Sequence, residues 1–106
     1  MSLMDWMGES IRDARQKNDR ERLWLASAYG VAYQYRETNP DQALNLFAEA
    51  KQLADRLGEP WWALFYEHCK AHALLHFKRD YRNVLDVAVQ NALAVRKPPN
   101  DQFPGR

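Results

Sequence analysis

His68, Cys69, His72 and His76 gather most of the chain's metal-binding and nucleophilic capacity into one short stretch. Side chains four residues apart on a helix lie above one another, so His68 and His72, or His72 and His76, are spaced to chelate one divalent ion. A structural zinc site takes four ligands, for which Cys69, His72, Glu67 and a residue of another helix are the candidates. A zincin helix reads His-Glu-x-x-His, whereas here Glu67 precedes the first histidine, so that match fails. Cys69 and His68 cannot act as a nucleophile pair through adjacency, because neighbours on a helix point about 100° apart; His72 would have to serve as the base. The competing reading is packing, with half-buried imidazoles hydrogen-bonded to their surroundings, and it is the favoured one. Catalysis has little else to draw on. Gly8, Gly30, Gly58 and Gly105 stand in separate contexts with no phosphate loop, and neither Ser10 nor Ser27 is flanked by the glycines of a nucleophile elbow. We therefore expect a non-enzyme without a cofactor, the small metal-binding or enzymatic domain being the alternative.

The histidines need a helix to hold them, and the surrounding sequence predicts five. The clearest is the third, Pro40 to Leu57. Asn39 is placed as N-cap, Pro40 at the first helical position and Gln42 three residues after the cap. Gly58 stops it and Pro60 prevents continuation. Ala43, Phe47, Ala50, Leu53, Ala54 and Leu57 form its apolar stripe. A first helix is expected over about Met4–Lys17, with Met7, Ile11 and Ala14 inward. Asn18 and Glu21 suggest a capping box for the second, about Asp19–Glu37, whose inward face reads Leu23, Ala26, Tyr29, Gly30 and Tyr33. The fourth runs from about Pro60 to Lys78. The fifth covers about Tyr81–Val95, with Asp80 as N-cap and Val84, Leu85, Ala88, Val89 and Ala92 inward. No segment alternates with period two, so no sheet is expected. Short loops make successive helices antiparallel. Residues 4–95 read as one domain. Residues 96–106, with Pro98, Pro99, Pro104 and Gly105, read either as a flexible proline-rich tail or as a linker, and in the second case the chain is expected to be one piece of a larger protein.

Composition removes several function classes. The net charge is +1, which lacks the electrostatic signature of a nucleic-acid or anionic-membrane binder. Arg12, Arg15, Lys17, Arg20 and Arg22 cluster near the first turn and read as a solvated face. One cysteine excludes an intrachain disulfide and suits the cytoplasm. No apolar run reaches the ~18 residues of a membrane span.

The helices fall into comparable hairpins. Ala26-x-x-Tyr29-Gly30-x-x-Tyr33 is followed by Ala43-x-x-x-Phe47-x-x-Ala50; Cys69-x-x-His72-Ala73-x-x-His76 is followed by Leu85-x-x-x-Val89-x-x-Ala92. Met7-x-x-x-Ile11-x-x-Ala14 resembles a lone second half. This pattern resembles the tetratricopeptide repeat, W-x2-L-G-x2-Y, then A-x3-F, then proline. Tyr29-Gly30-x-x-Tyr33 and Ala43-x-x-x-Phe47 carry the likeness, with Pro60 as a late terminal proline. The signature tryptophan is replaced by Ala26 and Cys69, and the spacing from Ala43 to Leu85 is 42 residues against 34. The resemblance implies an all-α short right-handed solenoid and a non-catalytic module binding a protein or peptide partner. It also places Cys69, His72 and His76 at packing positions.

In such arrays the first helix of each hairpin lines the concave surface. Carried over residue by residue, the resemblance puts Trp24, Ser27, Val31, Gln34 and Tyr35 in the groove from the second helix. From the fourth it puts Glu67, Lys70, Leu74, Phe77 and Lys78 there. Trp62, seven residues before Cys69, reads as a wedge between hairpins, and Trp61 as exposed. Two and a half hairpins fall just below the about three repeats expected for stability. The terminal apolar faces are then covered either in a homodimer or by neighbouring repeats, and self-association is the favoured of the two. Neither nucleic acid nor membrane is expected as a partner.

Overall fold

The computed structural model describes residues 2–79 and 81–103, without the side chains of Phe77 and Tyr81. Five α-helices follow one another: α1 (Leu3–Gln16), α2 (Arg20–Tyr35), α3 (Pro40–Leu57), α4 (Pro60–Ala73) and α5 (Tyr81–Ala94). A π-helical turn, Leu74–Lys78, extends α4, and a 3-10 turn covers Asn100–Gln102. There is no strand among the described residues, and no described helix is long and apolar enough to cross a membrane.

Local chemistry accounts for the helix ends. The Asn39 side chain accepts from the Gln42 amide, and Pro40 opens α3. At the other end Gly58 takes φ 69°, which glycine adopts without a Cβ penalty. The Gly58 and Glu59 amides then return to the carbonyls of Asp55 and Ala54, a Schellman pair. The α1–α2 corner repeats the device with asparagine. Asn18 sits at φ 52°, its amide reaches Arg15 O, and the Asp19 amide reaches Ala14 O at 2.9 Å. The expected cap is thus displaced by one residue: Asn18 ends α1, and Asp19 caps α2 by accepting from the Arg22 amide at 3.1 Å. Ser2 caps α1 in the same way. The expected Asp80 cap lies outside the described residues.

Each helix packs on its neighbour in sequence, most extensively α3 on α4 and α2. Ala43, Ala50 and Ala54 are wholly buried and Phe47 nearly so, which lets α3 lie close against both. Central to the core is α4, which buries Trp62, Ala63, Leu64, Phe65, Tyr66, Cys69 and Ala73. The Tyr66 hydroxyl satisfies itself by donating to the Leu25 carbonyl of α2.

Four expectations are corrected. The inward face of α2 is Leu25, Ala26, Ala28 and Ala32, while Tyr33 is 46% exposed and Gly30 is exposed with nothing within 4 Å of a Cβ there. Alanines, which permit close approach, select the face. On α5 the half-buried side is Val84, Val87, Asn91 and Ala94, whereas Leu85 (66% exposed), Val89 and Leu93 point outward with Ala88 and Ala92. Residues 96–103 of the expected flexible tail fold back on the bundle. Phe103 is buried with its ring 5.3 Å from Trp6 and 6.0 Å from Trp61, and the Trp61 indole donates to Pro99 O at 2.9 Å. Trp62 is buried as a wedge should be, and Trp61 is half-buried rather than exposed.

Candidate functional site

Between Pro60 and Ala73, the positions of α4 left exposed after the first residue are His68 and His72. They open into a cleft whose floor is α4. One lobe, of about 240 Å³, is walled by Tyr29, Tyr33 and Arg36 of α2, with Phe65, Cys69 and His72 below. A second, of about 310 Å³, is walled by Asn91, Ala92 and Val95 at the end of α5 and closed by Phe103. Leu3, Phe65 and His68 border both lobes, so the two adjoin. The fold places these walls for the reasons given above. Small alanines turn α2 so that Tyr29, Tyr33 and Arg36 share the side toward α4, and the folded-back Phe103 closes the far lobe.

Charge in the cleft has one sign. Arg36, His68 and His72 line it, and among the described residues no aspartate or glutamate does. The Arg36 guanidinium lies 3.4 Å over the Tyr33 ring, donates to Tyr33 O at 2.9 Å and stands 3.8 Å from Glu37. The His72 ring lies 4.3 Å from that of His76, which the π-helical turn carries. Burial, then His76, His68 and Arg36, depress the His72 pKa below its ordinary 6.5. Below about pH 6.5 the unfolded chain therefore takes a proton at this position more readily than the folded one, and stability falls as pH drops further. Above that pH the ring is neutral in both states and contributes nothing. Melting curves from pH 8 to 5.5 should show this decline, and His72→Gln should shrink it; an unaltered decline in the variant would remove His72 as its source.

Neither the metal nor the nucleophile alternative gains from this geometry. No group of three or more His, Cys, Asp or Glu side chains among the described residues is placed to hold a metal ion. Cys69 is buried, which pushes its thiol up to about 12, away from the thiolate that chemistry requires.

The residues expected to form a groove do not line one cavity. Trp24, Val31, Gln34 and Tyr35 are exposed and Ser27 half-buried on the side of α2 turned away from the cleft. Glu67 borders an opening on the opposite side of α4 with Lys51, Asp55, Gln90 and Asn91. Lys70 is half-buried and Leu74 buried, while Lys78 pairs with Asp41 at 2.7 Å beside the start of α3. The Phe77 side chain lies outside the described residues. Tyr29, Tyr33, Arg36, Phe65 and Asn91 were not anticipated as site residues. Their signal was the i, i+4 step from Tyr29 to Tyr33 ending at Arg36, which read as core. No family model, curated protein or solved structure matches the chain.

Proposed function

We propose that the chain is a non-catalytic binding module, a tetratricopeptide-like array that docks a protein or peptide partner through an exposed helix face and associates with itself through the same face. The observation that carries this reading is the outward stripe of α5. Leu85, Val89 and Leu93 are 66%, 49% and 50% exposed at successive four-residue steps, with the small Ala88 and Ala92 beside them. Three aliphatic side chains in one row are the anchors a partner helix reads, and the alanines allow its backbone close. The sequential packing of α2 to α5 and the burial of Ala43, Phe47 and Ala50 support the repeat-like part. The exposed Gly30 departs from it. The burial of Cys69, which raises its thiol pKa, supports a non-catalytic role.

Solution mass at several concentrations tests the reading. The wild type should rise above its 12.5 kDa monomer as concentration increases. Leu85→Glu with Val89→Glu should hold the chain monomeric, and at such exposed positions the fold should change by no more than about 0.5 kcal/mol each. A wild type that stays monomeric up to the highest soluble concentration sinks self-association through α5.

A further inference from the structure

The two-lobed cleft shares only Ala92 with the α5 stripe and has a chemistry of its own. Its lobes, about 310 and 240 Å³, adjoin at Leu3, Phe65 and His68; both are walled mostly by apolar groups, and one of them alone holds an arginine. That size lies at the lower end of ligand pockets, roughly 300–1,000 Å³, where a mostly apolar wall with a few convergent polar groups is the usual build. The larger lobe has Leu64, Ala92, Val95 and Phe103 with Asn91 at its wall; the smaller holds Arg36, His72 and two tyrosines over Phe47 and Phe65. Arg36 is pre-positioned there. Its guanidinium is stacked on Tyr33 and commits one N–H to a carbonyl, while Glu37 stands only at 3.8 Å, so further donors of its fork remain for a ligand. With no carboxylate in the lining, the complement is an anion, and the neighbouring apolar lobe requires that anion to carry a hydrocarbon body.

We propose that this cleft binds a small amphipathic carboxylate, its hydrocarbon chain in the lobe of Ala92, Val95 and Phe103 and its carboxylate at Arg36 beside His72. A ligand with a charged head and a hydrocarbon tail suits two adjoining lobes, only one of which holds an arginine, better than a compact one.

The test uses the full chain with decanoate, and with decanol as its uncharged counterpart, followed by calorimetry at pH 7.5. Decanoate should bind once per chain and decanol far more weakly. Arg36→Gln should weaken decanoate by about tenfold to a hundredfold, the range for losing a charged hydrogen bond. Ala92→Trp, at an exposed position on the lobe wall, should block it while leaving the far-ultraviolet circular dichroism unchanged. The Leu85→Glu, Val89→Glu chain should bind decanoate like the wild type, which separates this site from the α5 reading. Equal affinity for decanol, indifference to both cleft variants, or no saturable binding would overturn the proposal. So would tighter binding of a short peptide ending in a free leucine carboxylate, which would make the cleft a peptide site.

Discussion

Replacing Trp6 by alanine is expected to destabilise the fold by about 3–5 kcal/mol, the range for removing a buried tryptophan. Trp6 is 8% exposed and lies within ring-contact distance of Trp61, Trp62, Phe65 and Phe103, at centroid separations of 6.3, 4.2, 6.3 and 5.3 Å. It joins α1, the start of α4 and the returning C-terminal segment, and with four ring partners it has more ring contacts across this junction than Trp61 or Phe103. Its loss leaves a cavity that the four rings cannot collapse to fill together, and Phe103 loses one of its two ring partners. A small domain has only about 5–15 kcal/mol in all, so the variant should sit near the edge of folding at 37 °C. Urea unfolding followed by circular dichroism checks this. A loss below about 1 kcal/mol would mean that the aromatic cluster is not what holds the two ends of the chain together.

Ala50→Leu is the second large effect, expected at about 1–3 kcal/mol through overpacking. Ala50 is wholly buried, with Ala54 and Ala43 about one and two turns away along the same stripe, where α3 meets both α2 and α4. Extra methyl groups there must push one of two helices outward. Glu49→Leu, one residue earlier and exposed, should change stability by less than about 0.5 kcal/mol. Equal effects at the two positions would show that α3 tolerates separation from its neighbours.

The contrast between these two helices explains what could be read from the sequence. On α3 the cap asparagine, the first-turn proline, the left-handed glycine and one apolar stripe all agree, so its limits and its buried face were legible. On α2 almost every position is alanine, tyrosine or another residue that either face accepts, and periodicity alone could not choose. The choice fell to Ala28 and Ala32, which allow close approach, and it turned Tyr33 toward the cleft. On α5 the larger aliphatic stripe looks like the buried one, but the side that packs on α4 is the narrower Val84, Val87, Asn91 and Ala94 set. The candidate cleft was legible only in part. Its histidine row was visible from the four-residue steps, whereas its α2 wall followed from a rotation that local sequence does not encode. Phe103 was hidden inside a proline-rich segment whose local signals all describe a turn. Its burial depends on Trp6 and Trp61, two aromatic residues from distant positions, which only the tertiary fold assembles.

The ring contact between Trp6 and Phe103 has a consequence for the order of folding. It closes a loop of nearly the whole chain in a protein whose most extensive helix pairs are neighbours in sequence. Such a contact is entropically the last to form and the first to be given up. The α2–α3–α4 unit, built from adjacent hairpins, can assemble without it. The helix α1 and the C-terminal segment then dock as one latch, and when that latch lifts, the Phe103 wall of the cleft leaves with it. The Phe103 wall of the cleft thereby belongs to the part of the chain that opens sub-globally, at a free energy below that of complete unfolding, while the α2 and α4 walls stay in place.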